Sequence, residues 1–321
     1  MTEAQGQGPG AQGQGPGAQG QGPGAPTIDA GELTTFARLR RRGAVLIGGG
    51  ALWLLLFLAV PLALVFAAAF CETAGYGAVK LSLTWDNLGR VAGWGVFGWE
   101  ADNLRILLRT VVVAGLTTVL CLALALPMAF WIARQPQSRR GLLLALLMIP
   151  FCTNLVIRIA GWTVLLSNQS WLAGLAQQLG AIGPEDGLYP GTFAVLLGMV
   201  TTFLPFAVLP LYAVVERLDW TLVEAARDLH SGPWRTARHA ILPQIMPGLV
   251  AAGILTFVPA LGMFLVTDRL GSGKFMLVGN LIQQQVGRDT PYLSALCLTL
   301  VAATLIGIAI LRWRAREVPV A

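Results

Sequence analysis

Six apolar runs, each close to the roughly 20 residues a helix needs to cross a bilayer, leave this chain few folds to choose from. They lie near Ala44 to Phe70, Ile106 to Ala133, Leu142 to Leu166, Thr192 to Val215, Ile245 to Thr267 and Tyr292 to Leu311. In hydrocarbon every backbone N–H and C=O must be satisfied within the protein, so runs of this length form helices. Only 12% of the residues are charged and 55% are hydrophobic. The predicted fold is an all-α integral membrane protein, with a six-helix transmembrane domain over residues 44–321. Those spans and their loops consume nearly all of the chain, leaving no length for a separate catalytic domain.

Residues 1–43 differ in kind. Ala-Gln-Gly-Gln-Gly-Pro-Gly occurs three times in direct succession, beginning at Ala4, Ala11 and Ala18. A tract so poor in large apolar side chains has nothing to bury against the entropy of ordering, which predicts a disordered tail. Collagen is excluded because glycine does not recur at every third position. The run after the tail is too long for the apolar region of a cleaved signal peptide, and is expected to stay as an anchor.

The arginines orient the spans. Arg38, Arg40, Arg41 and Arg42 precede the first; Arg134, Arg139 and Arg140 follow the second; Arg217, Arg227, Arg235 and Arg238 follow the fourth; Arg312, Arg314 and Arg316 follow the sixth. These are 14 of the 22 basic residues. The positive-inside rule then places both termini and the loop after span four in the cytoplasm. The net charge of +6 is accounted for by topology, and no nucleic-acid partner is implied.

Little points to metal or redox chemistry. Cys71, Cys121, Cys152 and Cys297 have no metal-ligand or redox-pair spacing, and the two histidines, His230 and His239, both fall in the loop after span four. No metal site and no cofactor are expected. Gly271-Ser272-Gly273-Lys274 fails as a phosphate loop because Asp268 stands where its first glycine should and Phe275 replaces the Ser/Thr.

The loop after span four is the polar exception in an apolar chain. Thr221 and Glu224 have the spacing of a capping box, Ala225 and Ala226 continue a short helix, and Gly232-Pro233 stops it. A second short helix is expected from Ser231–Pro233 to Ile241, with Pro243 and Pro247 marking a turn into span five. Trp234, Leu229 and Leu242 are available for packing. Read on these grounds alone, the loop is either a docking surface or a helix resting on the membrane.

The run EAARDLHSGPWRTARHAILPQIMPG, residues 224–248, resembles the EAA loop of the permease subunits of bacterial ABC importers. Glu224, Ala225, Ala226, Ile241, Leu242 and Pro243 match that pattern; His230 stands where the family has glycine, with Gly232 two residues later. PFCTNLVIRIAGW (150–162), FVPALG (257–262) and DRLGSGKFMLVGNLIQQ (268–284) are similar to the first permease subunit of spermidine/putrescine importers. The resemblance implies a second permease subunit, a cytoplasmic ABC ATPase dimer and an external substrate-binding protein, in a bacterial inner membrane. It also implies that Glu224, Ala225, Ala226, Asp228, Leu229, His230, Gly232, Leu242 and Pro243 form the ATPase-coupling element, with hydrolysis in the partner subunits.

Candidate path residues come from span three and the segment after span five. Arg158 would sit about 12 Å inside a straight span, where a charge costs about 2.5–3.5 kcal/mol and therefore faces protein or water. Asn154 and Trp162 lie one turn to either side, forming a polar and aromatic stripe. Asp268 is a carboxylate available to Arg158. A flexible polycation favours carboxylates and aromatic faces over a guanidinium, and Met263 stands where some polyamine permeases carry an acid. The alternatives are the same permease class for ferric iron, a sulfate-type anion or an aminophosphonate, and a non-transporting membrane scaffold.

Overall fold

The computed structural model describes residues 30–316, apart from residues 76, 96, 97, 100, 181, 182, 184–186 and 274. The AQGQGPG repeats lie outside the described residues. Helix α1, Ala30–Ala69, begins within the segment expected as tail, because good helix formers such as Glu32, Leu33 and Ala37 precede the apolar run. The chain divides into a unit that ends at Val60 and a unit spanning Pro61–Ala321. In the first, Leu52 through Leu58 are each more than half exposed, the composition of a helix that meets lipid.

The second unit carries two short hairpins, β1 (Glu72–Thr73) with β2 (Val79–Lys80) and β3 (Trp94–Gly95) with β4 (Gly98–Trp99), around helix α2 (Asp86–Val91). Helices α3 (Asp102–Ala133), α4 (Gln137–Cys152), α5 (Leu155–Leu165), α6 (Trp171–Gln178) and α7 (Thr192–Val215) follow. Next come α8 (Trp220–Asp228), α9 (Pro233–Thr236), α10 (Leu242–Leu261), α11 (Leu265–Gly271), α12 (Val278–Gln285) and α13 (Thr290–Arg316). Among the described residues five helical stretches are long and apolar enough to cross a membrane, and a sixth crossing results if α4 and α5 count as one.

Helices α3, α7 and α10 pack on one another, with α7 central. Small residues permit the close approach that membrane helices use in place of a hydrophobic driving force. A Cβ on Gly248 would meet Val214 Cγ2 at 2.9 Å and the Pro210 carbonyl oxygen at 3.2 Å, so α10 lies directly on α7. Gly198 does the same for α11, since a Cβ there would meet Val266 Cγ1 at 2.9 Å.

Span three departs from the straight helix expected of it. Helices α4 and α5 meet at 87°. Thr153 (φ −77°, ψ 150°) and Asn154 (φ −58°, ψ 130°) are extended, and Asn154 Oδ1 accepts the Val156 N–H at 2.8 Å as the cap that restarts the helix. Thr153 Oγ1 donates to the Pro150 carbonyl at 2.6 Å, one of the acceptors left at the end of α4.

The region after span four differs too. No turn forms at Pro243: α9 runs through a π turn, Ala237–Ile241, straight into α10, giving one stretch from Pro233 to Leu261. The π turn closes with the Leu242 N–H donating to the Ala237 carbonyl, and its wider ring accommodates the missing donor of Pro243. The expected fifth span also ends early, at Leu261, so that Thr267 and Asp268 belong to α11. Buried Asn280 fixes this break: its Oδ1 accepts from Thr267 Oγ1 at 2.6 Å and from the Leu277 N–H at 3.2 Å, while its Nδ2 donates to the Phe264 carbonyl at 3.2 Å.

The hairpin β1–β2 is tied to the start of α13 through Asp289. Its carboxylate accepts from Thr73 Oγ1 at 2.6 Å and the Tyr292 N–H at 3.1 Å, and pairs with Arg90 Nη1 at 2.9 Å. Arg90 also lies 4.3 Å from the centroid of the Tyr292 ring. Burial pushes the Asp289 carboxyl up, but these three hydrogen bonds and the guanidinium charge outweigh it and hold the pKa below the ordinary value.

Candidate functional site

The loop from Asp219 to Pro243 is built by local chemistry. The N-cap of α8 is Asp219, in place of the expected Thr221: its Oδ1 accepts both the Thr221 N–H at 2.9 Å and the Thr221 hydroxyl at 2.7 Å. Those two donors lower the Asp219 pKa. A free carboxylate two residues ahead outcompetes a threonine hydroxyl for the first orphan amide, so no Thr221–Glu224 capping box forms.

The far end of α8 closes as a Schellman motif. The Ser231 N–H donates to the Ala226 carbonyl at 3.1 Å and the His230 N–H to the Arg227 carbonyl at 2.8 Å. This geometry needs a left-handed residue at His230, whose φ is 57°. The histidine thus adopts the conformation that favours glycine, while Gly232, at φ −64°, does not supply the bend.

Residues of α8 divide by face. Val223 is buried, and Arg227, one turn later, shares its side of the helix. Glu224, Ala225 and Asp228 are exposed, Ala226 is half-buried, and Leu229 is 84% exposed. Trp234 is 77% exposed, so of the three apolar residues offered for packing only Leu242 joins the core. Leu229 and Trp234 are thus two large apolar side chains left on the surface of a polar loop.

Gln244 straps the loop to the bundle, a contact not foreseen in the sequence. Its Oε1 accepts the Asp219 N–H at 2.9 Å and its Nε2 donates to the Ala240 carbonyl at 2.7 Å. The one available signal was an amide in the first turn of an apolar span. The neighbouring loop is held by Arg140, which pairs with Glu216 at 3.1 Å and donates from Nε to the Gln135 carbonyl at 2.7 Å.

A cleft of about 720 Å³ opens between α3, α4, α5 and α7. Arg158 and Trp162 line it, among apolar side chains such as Met128, Trp131, Leu143 and Leu204. Arg158 Nη1 donates to the Pro150 carbonyl at 3.2 Å across the α4–α5 bend, while its buried Nε has no acceptor among the described residues. Asn154 and Asp268 are not brought to this cleft. Asn154 caps α5, and exposed Asp268 has Oδ2 3.9 Å from Arg269 Nε and makes no ion pair with Arg158. Asn154 stays in register with Arg158, whose backbone N–H donates to its carbonyl at 3.1 Å, but its side chain is spent on capping α5. No group of residues suited to a metal ion occurs among the described residues.

A bundle of membrane-crossing helices that projects a capped, strapped helix from one end is the architecture of a transport-system membrane subunit. Residues 124–316 match the binding-protein-dependent transport system inner membrane component family, and the chain belongs to it. Among its relatives is the spermidine/putrescine transport system permease protein PotB of Salmonella typhimurium strain LT2, 37% identical over 266 residues, which are 82% of this chain and 90% of that protein. Two solved structures share the fold at 14% identity. One, a bacterial ABC transporter that imports the acidic polysaccharide alginate, has a TM-score of 0.62 over 89% of this chain and 99% of its own. The other, a bacterial alginate ABC transporter in complex with an alginate pentasaccharide-bound periplasmic protein, has 0.60 over 88% and 96%. The chain is a multi-pass inner-membrane permease subunit of an ABC importer; such a subunit is not an enzyme.

Proposed function

We propose that this permease moves polyamines, spermidine or putrescine, into the cytoplasm. The observation that carries the substrate is the likeness to the spermidine/putrescine permease along four-fifths of the chain. The working unit pairs it with a second permease subunit, a cytoplasmic ATPase dimer and an external binding protein. Both termini and the Asp219–Pro243 loop face the cytoplasm, with α4 and α5 together making the third of six crossings. Fourteen of the 22 basic residues on that side support this orientation.

Coupling runs through α8. Its outward residues Glu224, Ala225, Asp228 and Leu229 dock on the ATPase, with small Ala225 and Ala226 allowing close approach. His230 and Gly232 shape the exit of the helix, and Leu242 and Pro243 lie where the load enters α10. Gln244, which ties Asp219 at the start of α8 to the first turn of α10, and the unbroken stretch from Pro233 to Leu261 support a stiff transmission from α8 to α10. ATP binding then shifts the bundle between inward-facing and outward-facing states by the difference in its affinity for the two.

The path runs by the cleft that Arg158 and Trp162 line, with Asn154 one turn to the cytoplasmic side of Arg158 and Asp268 at the external face. One observation favours a second reading: Arg158 is the charged side chain on that cleft and has an unpaired Nε, which suits an anionic cargo. Co-purification from native membranes, with the intact chain compared with Glu224→Lys, tests the coupling. An ATPase and a second permease should accompany the intact chain, and the mutant should lose the ATPase. Uptake of labelled spermidine and labelled sulfate by the same cells tests the cargo; spermidine uptake is expected, and sulfate uptake alone would overturn the polyamine reading.

A further inference from the structure

We infer that a second pocket, beneath α8, binds the phosphate of an anionic phospholipid headgroup in the cytoplasmic leaflet. The pocket holds about 220 Å³ between the end of α3, the inner face of α8 and the start of α9. Arg134 and Arg227 reach it from two different elements, with Trp220 and Ser231 beside them. Phe130 and buried Val223 contribute an apolar floor.

Both guanidiniums are without an ion-pair or hydrogen-bond partner among the described residues. Glu216 is committed to Arg140 and Asp219 to the cap of α8, and Glu224 and Asp228, the carboxylates beside Arg227 in sequence, form no ion pair with it. Two unpaired guanidiniums converging on one cavity present the planar donor forks that suit phosphate oxygens. An apolar floor under a basic rim fits a ligand that is charged at one end and hydrocarbon at the other.

Depth selects the source of that phosphate. Arg134 is the C-cap of a 32-residue membrane helix and so stands at the end of a span, where headgroups begin. Basic pockets between transmembrane helices at that level suit anionic headgroups. The pocket is also separate from the ATPase-docking surface. Trp220, Val223 and Arg227, at spacings of three and four, share the inner face of α8, whereas Ala225, Asp228 and Leu229 point away from it. A lipid could therefore occupy the pocket while the outer face is docked, and would set how firmly α8 is held against the bundle.

The inference rests on the cytoplasmic placement proposed above, which labelling of single cysteines at positions 139 and 235 from either side of intact cells reads separately. The lipid test does not depend on it, since a nanodisc offers the same lipid in both leaflets. The transporter complex in nanodiscs of phosphatidylcholine with increasing phosphatidylglycerol is released and weighed by native mass spectrometry. The intact complex should retain one more phosphatidylglycerol than the Arg134→Gln/Arg227→Gln variant, whose half-saturating lipid fraction should rise at least tenfold. Arg134→Lys/Arg227→Lys should keep part of the binding, and Arg235→Gln/Arg238→Gln, which removes the same charge from neighbouring positions outside the pocket, should keep all of it. Millimolar inorganic phosphate should not displace the lipid. Equal retention by the Gln variant, equal loss in the Arg235/Arg238 control, equal retention of phosphatidylcholine, or displacement by phosphate would each overturn the inference.

Discussion

Replacing His230 with glycine should tighten the end of α8. His230 sits at φ 57°, a conformation that costs an L-residue roughly 1–2 kcal/mol, and its side chain is exposed with no hydrogen bond to lose. Glycine removes that strain but gives up roughly 0.5–1 kcal/mol in unfolded-chain entropy. The net gain is about 0.5–1 kcal/mol for the local opening that frees the His230 and Ser231 amides from the Arg227 and Ala226 carbonyls. Hydrogen exchange on the protein in nanodiscs, corrected for intrinsic rates, should therefore show protection at residues 230 and 231 rising about two- to fivefold. His230→Ala keeps the backbone cost and should leave protection within twofold. Unchanged or reduced protection in the glycine variant, or an equal rise in the alanine variant, would refute the assignment of strain to φ at this position.

Asn280→Ala leaves the buried Leu277 N–H without its acceptor, at a cost of about 1–3 kcal/mol, and should shorten the thermal half-life of the protein in detergent. Gly248→Leu forces a side chain against Val214 and the Pro210 carbonyl and should cost at least about 1–3 kcal/mol by overpacking, whereas Gly115→Ala, with open space around it, should be neutral in the same assay. Because the folded-state pKa of Asp289 is lowered, its contribution is fully present above the ordinary carboxylate value near about 4 and is lost as pH falls through the folded value. Exchange protection at the Gly77 amide, which donates to the Arg288 carbonyl, should accordingly fall at acid pH in the native protein, with a smaller acid step in Asp289→Asn. Asn154→Ala should loosen the first turn of α5 by about 1 kcal/mol through loss of the Val156 cap, measurable as faster exchange at that amide.

Hydropathy alone determined that this chain is a helical membrane protein and roughly where its helices run, because the cost of an unpaired amide in hydrocarbon leaves no other solution. The charged loop after Val215 was equally legible, since a short polar helix between apolar spans needs no tertiary partner to be recognised. What hydropathy could not register was interruption. Apolar runs read the same whether the helix is straight or, as at Thr153 and Asn154, turns through 87°, and at that turn Asn154 caps α5 instead of lining the cleft. The cap of α8 was misplaced because two oxygens, on Asp219 and Thr221, competed for one role and only their geometry chose between them. Pro243 suggested a turn, but whether a missing donor breaks a helix or is absorbed by a π turn depends on what packs around it. The Gln244 strap and the convergence of Arg134 with Arg227 belong to the tertiary structure for the same reason. Each joins residues that only the packing of α3, α7 and α10 brings together, and local sequence has no term for that distance.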